Sequence, residues 1–208
     1  MPEEVASVAA SIEMRYQAMV LLAAYGSLRF GELASLRRQR IDLLHRSIRI
    51  DEQAIEMAGG KVVFGAPKSD AGRRIVAIPV ELAKMLETHL HDYVGTDPSA
   101  LVFTSPECHP LRRTKFRPRW AIACKKAGIS GVHFHDLRGS GATWAATTGA
   151  TVAELMERLG HTTPSVAMRY QHATRDRDRA IAARLGALIR AVDDQPTEDA
   201  ADVRPIGE

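Results

Sequence analysis

Apolar residues near the start of the chain recur every three or four positions, as they do on one face of an α-helix: Ile12, Tyr16, Met19, Val20 and Ala23. This spacing predicts one helix over residues 5–24. Gly26 and Ser27 then interrupt the pattern, and a second, short helix is predicted from Glu32 to Leu36. The opening of the chain is therefore expected to be helical, with a break just before Arg29.

Between residues 41 and 79 the pattern changes to β-branched and alternating positions, which are typical of strands. Three strands are predicted: Ser47–Ile50, Val62–Ala66 and Arg73–Ile78. Gly59-Gly60 and Asp70-Ala71-Gly72 supply turn residues, so Lys68 is predicted to lie in a hairpin. After Pro79 the pattern is again mostly helical.

Two predicted helix boundaries lie close together near residue 160. Thr151 and Glu154 have the spacing of a capping box, and Gly160 is placed to end the helix that begins there. Thr163 is a suitable N-cap, so the next helix is predicted from Pro164 to His172. The short segment between the two helices is expected to form a tight turn.

The C-terminal end differs in charge from the rest of the chain. Residues 191–208 hold six carboxylates and one arginine, a net charge of −5; the whole chain carries +3, so residues 1–190 carry +8. A basic body suggests a polyanionic partner, although it is also compatible with simple solubility. The acidic tail is expected to be disordered. Just before it, apolar spacing from Ile181 to Val192 predicts an amphipathic helix.

Composition narrows the class of protein. No stretch approaches the roughly 20 apolar residues that a membrane span needs, and no basic-then-apolar signal opens the chain. We therefore expect no membrane contact and a cytoplasmic location. Cys108 and Cys124 belong to no CxxC pair and are expected to be free thiols.

Six residues have side chains that suit phosphoryl transfer: Arg29, Lys68, His135, Arg138, His161 and Tyr170. Arginine donates paired hydrogen bonds to phosphate oxygens, and histidine and lysine can move protons. His135 and Arg138 are three residues apart at a predicted helix start, where backbone N–H groups favour anions. A tyrosine hydroxyl can act as the nucleophile and hold a phosphoryl group as an ester. Taken singly, each of these residues is more simply explained as a surface, capping or core residue.

In order and spacing the set resembles the catalytic residues of tyrosine recombinases of the phage-integrase kind, which run Arg, Lys, His-x-x-Arg, His, Tyr. The resemblance extends from about Arg15 to Ile189. It implies an α+β, mostly α-helical catalytic domain with a small three-stranded antiparallel sheet. The residues that it implies around the scissile phosphate are Arg29, His135, Arg138 and His161.

The same resemblance implies the remaining roles. Lys68 would protonate the leaving 5′ oxygen, Tyr170 would form a 3′-phosphotyrosyl intermediate, and Glu32 would support the site. The implied protein is a site-specific recombinase that uses no cofactor, metal ion or ATP. Its expected partner is double-stranded DNA, on which a homotetramer would assemble through the C-terminal helix at paired sites. Residues 1–190 are expected to be the catalytic domain and residues 191–208 a tail, with the family's N-terminal DNA-clamping domain absent, most simply because the chain was trimmed.

A run without any acidic residue is a candidate for contacts to DNA phosphates: Arg112, Arg113, Lys115, Arg117, Arg119, Lys125 and Lys126. A solvated helix face is the alternative interpretation. Within the run, Phe116 and Trp120 are interpreted as core residues rather than base-stacking ones. Nearby histidines and cysteines match no zinc-ligand spacing, so no metal site is expected.

Three other functions remain as alternatives. A DNA-binding protein without chemistry would have lost one of the six positions, and none is lost. A type IB topoisomerase would share the chemistry, but the predicted helix from Ile181 favours a recombinase that assembles. A metal-dependent nuclease would need paired carboxylates at metal-site spacing, which the sequence does not supply.

Overall fold

The structure is a computed structural model that describes residues 1–168. In it the predicted first helix is divided into two helices, α1 (Pro2–Ser11) and α2 (Met14–Tyr25). Ile12 leaves the helical region with ψ 162°, yet its side chain is buried in the core. The prediction of a single helix is therefore wrong. Helical spacing continues across a two-residue bend, so the apolar pattern identifies the buried residues without revealing the bend.

The strands form two small antiparallel sheets. One has three strands in the order β1 (Ile41–Asp42), β2 (Ser47–Ile50) and β5 (Arg74–Ala77). The other is a two-stranded hairpin of β3 (Gln53–Glu56) and β4 (Val62–Gly65). The small three-stranded antiparallel sheet is confirmed, and so is the α+β, mostly helical class.

The prediction of a hairpin around Lys68 is wrong. β4 pairs with β3, whereas β5 pairs with β2, where Val76 lies opposite Ile48. Residues 66–73 therefore pass from one sheet to the other, with a 3₁₀ turn at Asp70–Gly72. Alternation marks which residues are extended, but the choice of pairing partner depends on which faces become buried. Ile48 and Val76 are both in the core.

Six further helices follow α2 within residues 1–168. They are α3 (Phe30–Ala34), α4 (Val80–Tyr93), α5 (Arg113–Lys126), α6 (Asp136–Thr147), α7 (Val152–Leu159) and α8 (Pro164–Met168). α2 packs against α1, α4 and α6, and Tyr16 of α2 is completely buried, with its ring centroid 5.4 Å from that of Phe116 in α5. Phe116 and Trp120 are also buried, which confirms their interpretation as core residues.

Several sequence predictions fall outside the described residues. Tyr170, the end of the helix predicted to reach His172, the helix from Ile181 and the acidic tail all lie beyond residue 168. Within residues 1–168, no helix is both long enough and apolar enough to cross a membrane.

Candidate active site

Arg29 lies at the N-cap of α3, where Glu32 fixes it in two ways. Glu32 Oε2 accepts a hydrogen bond from the Arg29 backbone N–H at 2.8 Å, and Oε1 accepts from Arg29 Nη1, also at 2.8 Å. The Arg29 side chain stays 36% exposed, whereas that of Glu32 is 4% exposed. A buried carboxylate therefore orients an arginine that still faces solvent.

Glu32 is also paired with a second arginine, Arg74, at the start of β5. Arg74 Nη2 donates to Glu32 Oε2 at 2.9 Å and Arg74 Nη1 to Oε1 at 3.0 Å. Burial by itself would raise the pKa of the Glu32 carboxyl, but hydrogen bonds and positive charge from Arg74, followed by Arg29, lower it overall. Glu32 is thus ionised in the fold and shared between two guanidinium groups.

Arg138 lies in the first turn of α6, and its side chain is buried. It donates to the backbone oxygens of Ser27 and Leu159 and to Nε2 of His161, the last at 3.1 Å. α6 reaches this position because Gly141 has no side chain: a Cβ there would lie 1.8 Å from the Ala24 carbonyl oxygen. Close contact between α2 and α6 therefore brings Arg138 to the residues around Arg29.

His161 lies in the predicted turn between α7 and α8. The capping box at Thr151 is confirmed, and Gly160 ends α7 in the left-handed conformation at φ 60°. Because Arg138 donates to Nε2, we assign the ring proton to Nδ1 and a neutral charge to the imidazole. Burial, and then the charges of Arg138 and Arg29, lower the pKa of His161 to about 4, in agreement with that assignment. Nδ1 is buried and has no hydrogen-bond partner in the described part of the chain.

Three arginines meet the last carbonyl groups of α7. Arg74 Nε donates to the Arg158 oxygen at 2.8 Å, Arg138 Nη2 donates to the Leu159 oxygen, and Arg29 Nη2 lies 3.5 Å from the Gly160 oxygen. These carbonyls have no partner within the helix, and a helix C-terminus favours positive charge. The carbonyl groups at the end of α7 therefore hold three guanidinium groups together directly before His161.

Lys68 and His135 complete the described set from two other segments. Lys68 is exposed on the connection between the sheets, where it lines one cavity together with Arg29, Arg112 and Arg113. His135 is the N-cap of α6 and is also exposed. Partial desolvation, and then the charge of Arg138, lower its pKa. Arg29, His135, Arg138 and His161 thus come together from α3, α6 and the turn after α7, whereas Lys68 is linked to them through the cavity that it lines with Arg29.

Comparison with known proteins assigns the chain to a family. Residues 3–177 match the model of the phage integrase family. The chain belongs to this family. A putative prophage phiRv2 integrase of Mycobacterium tuberculosis is 43% identical over 189 residues, which cover 89% of this chain and 50% of the relative. The chain therefore spans about half the length of that integrase.

Two solved integrase structures share the fold. The Tn1549 transposon integrase in complex with a circular intermediate DNA matches with a TM-score of 0.76 at 20% identity, over 89% of this chain and 65% of that one. The catalytic domain of bacteriophage HP1 integrase matches with a TM-score of 0.57 at 18% identity, over 97% of both chains. At these identities the likeness shows that the fold is that of an integrase catalytic domain.

The basic run of this integrase-family chain lines several adjoining cavities. Arg112 and Arg113 line the cavity that contains Arg29 and Lys68, and Arg117 lines a neighbouring pocket with His135. Lys115 and Arg119 line a further cavity beside Tyr16, which also includes Arg112, and Arg119 is paired with Glu13. Lys125 and Lys126 are exposed in the last turn. The residues nearest the site are therefore Arg112, Arg113 and Arg117.

Arg74 is the residue of the site that the sequence analysis missed. The alternation in β5 contained a signal for it, because Arg74 shares the inward face with buried Val76, while Ile75 points outward and is 62% exposed. A charged residue at an inward strand position needs a buried partner. Glu32 supplies that partner from a segment 42 residues away, which no local pattern indicates.

Proposed function

We propose that this chain is the catalytic part of a site-specific DNA recombinase. It would cleave and rejoin DNA strands through a 3′-phosphotyrosyl bond to Tyr170, in support of DNA integration or excision. The observation that carries the proposal is the convergence of Arg29, Arg138 and His161 at one place, held by Glu32 and by the end of α7. Family membership supports the same conclusion.

The site has the charge that a phosphodiester under attack requires. Negative charge develops on the non-bridging oxygens, and fixed donors in a partly buried site stabilise it without having to reorganise. Arg29 lines the cavity and its side chain stays 36% exposed, and the buried Arg138 adds a second positive charge. In our assignment the His161 proton is on Nδ1, a buried donor without a partner among the described residues, and a phosphate oxygen that reached it would accept its hydrogen bond.

The remaining steps are proton and bond transfers. The Tyr170 hydroxyl would give its proton to His135 and its oxygen would attack phosphorus, the bond to the 5′ oxygen would break, and Lys68 would give that oxygen a proton. His135, at the start of α6, is also the next candidate for the second proton transfer or for a phosphate contact. Rejoining reverses the sequence with a 5′ hydroxyl of another strand. The phosphotyrosyl ester keeps the bond energy, so the scheme assigns no step to ATP, a metal ion or a cofactor.

The proposal extends to partners and domains. Residues 1–190 would form the catalytic domain, followed by a tail at 191–208, and the HP1 catalytic domain supports a fold unit of this size. The partner would be double-stranded DNA, with the run from Arg112 to Lys126 contacting phosphates; the Tn1549 integrase was solved with DNA. A homotetramer on paired sites, joined through the helix from Ile181, and action in the bacterial cytoplasm complete the proposal.

A covalent trapping experiment tests the function. The probe is a nicked duplex that carries half of the crossover site from the junction of the protein's own genetic element. Loss of a short strand end after cleavage prevents rejoining, so a protein–DNA adduct should accumulate on a denaturing gel. Tyr170→Phe removes only the hydroxyl and should abolish the adduct while duplex binding is retained. An adduct that persists in Tyr170→Phe would assign the nucleophile to another residue.

A further inference from the structure

The guanidinium of Arg74 is part of the site but has no role in the scheme above. Its side chain is 2% exposed. It donates through Nε to the Arg158 oxygen at 2.8 Å, through Nη1 to Glu32 Oε1 and to the Gly72 oxygen at 3.1 Å, and through Nη2 to Glu32 Oε2. A side chain so enclosed cannot reach a DNA phosphate, and any contribution to cleavage acts through its neighbours.

Each oxygen of the Glu32 carboxylate serves both arginines. Oε1 accepts from Nη1 of Arg29 and Nη1 of Arg74, and Oε2 accepts from the Arg29 backbone N–H and Nη2 of Arg74. The two-point contact with Arg74 fixes the plane of the carboxylate. Because Arg74 is itself held by backbone oxygens from two segments, that plane is set by the fold and in turn directs the Arg29 guanidinium.

We propose that Arg74 is a positioning residue for strand cleavage, which holds Glu32 so that Arg29 faces the scissile phosphate. This inference rests on the proposed recombinase function. The hydrogen bond from Arg74 Nε to the Arg158 oxygen, in the last turn of α7, anchors the Arg74 guanidinium for this role.

Orientation rather than net stability is the expected contribution of the Arg74–Glu32 pair. The loss of hydration on burial offsets much of the attraction between two charges, and apolar replacement of a whole buried pair is often neutral. Removal of one partner alone leaves an unpaired buried charge and is damaging. The test therefore compares Arg74 variants both with Glu32 intact and with Glu32 neutralised.

Single-turnover formation of the adduct, with protein saturating over the nicked half-site duplex, measures the effect on cleavage. Arg74→Met should slow adduct formation about 100-fold, the scale expected for a small displacement of an aligned group, with duplex affinity changed little. Arg74→Lys should recover part of the rate, because lysine keeps the charge but not the two-point fork. Arg73→Met, one residue away and exposed, removes the same charge and is the matched control.

A double-variant comparison separates positioning through Glu32 from an independent effect. Glu32→Gln combined with Arg74→Met should cleave no more than about twofold more slowly than Glu32→Gln alone, within the usual scatter of such cycles. Losses that multiply would overturn the inference. If Arg74→Met alone fails to fold, Arg74→Lys keeps the buried charge and still tests positioning, because lysine lacks the two-point fork, and cleavage by Arg74→Lys at the wild-type rate would then overturn the inference.

A spectroscopic readout keeps the inference distinct from the function on which it rests. The ¹⁵N-edited signal of the Arg29 Nε–H group, assigned by its loss in Arg29→Lys, should shift or broaden in Arg74→Met and stay in place in Arg73→Met. If the wild-type chain forms no adduct, the recombinase proposal fails, and this signal alone decides whether Arg74 orients Arg29. An unchanged Arg29 signal in Arg74→Met would overturn the inference.

Discussion

Replacement of Gly160 by alanine should destabilise the fold and disturb the site together. Gly160 has φ 60°, and a Cβ there would lie 2.6 Å from the Ala71 oxygen and 3.1 Å from Arg74 Nη1. The Ala71 oxygen belongs to the backbone and cannot swing away as the end of a side chain can. The turn that carries His161 would have to move away from the segment that carries Lys68.

The expected loss of unfolding free energy in Gly160→Ala has a backbone part and a steric part, and the same substitution at Gly128 measures the backbone part alone. Gly128 ends α5 with φ 72° and has no atom within 4 Å of its would-be Cβ, so Gly128→Ala meets only the backbone cost. The left-handed conformation costs an L-residue about 1–2 kcal/mol, and forcing extra atoms into a packed site costs about 1–3 kcal/mol. Gly160→Ala should therefore lower the free energy of unfolding by about 1–3 kcal/mol more than Gly128→Ala does.

Urea unfolding of both variants, followed by circular dichroism, measures this difference, and adduct formation on the nicked half-site measures the effect on cleavage. Gly128→Ala should cleave at the wild-type rate, whereas Gly160→Ala should cleave slowly even where it is fully folded. Equal unfolding midpoints for the two variants would refute the steric argument. Wild-type cleavage by Gly160→Ala would show that the position of the turn does not matter for the site.

Three further predictions concern protons and charge. Lys68→Ala should lose cleavage on ordinary DNA. It should recover cleavage on a substrate with sulfur in place of the leaving 5′ oxygen, because a sulfur leaving group needs no proton. Failure to recover would assign the general acid to another residue, with His135 as the next candidate. The pKa of His161, about 4 in the fold, lies below the value of roughly 6.5 for an unfolded chain. Its neutral ring therefore contributes stability fully above that unfolded value, and the contribution is lost as the pH falls toward 4, so urea titrations should show a weaker pH dependence in His161→Asn. Duplex binding should fall steeply with salt and discriminate little between sequences, because residues 1–190 carry +8; gel shifts at two salt concentrations that gave equal affinity would count against phosphate contacts.

Local sequence was sufficient wherever a feature depends on neighbouring residues. The Thr151–Glu154 capping box and the left-handed Gly160 were predicted because a helix end is decided by hydrogen bonds within a few residues. The placement of His161 in the turn after that end followed directly. His135 at the start of α6 was predicted for a similar local reason, and the structure confirms it as the N-cap.

Other features depended on partners that are distant in the chain. Lys68 was placed in a hairpin because two extended segments flank it, but the burial of Ile48 and Val76 pairs those segments with different strands. The basic run was predicted to contact DNA phosphates, and only the fold shows that Arg113 lines the cavity of Arg29 whereas Arg119 is paired with Glu13.

The sequence by itself determined the order of the predicted site residues, the class of the fold and the ends of helices around His161. Only the tertiary structure decided how the arginines are held. Arg74 became part of the site when β5 turned it inward onto Glu32, and three arginines became neighbours because the end of α7 offers three carbonyl groups. The physical reason is that capping and periodicity act over a few residues, whereas a buried charge is stabilised by whatever partners the fold brings within hydrogen-bond distance.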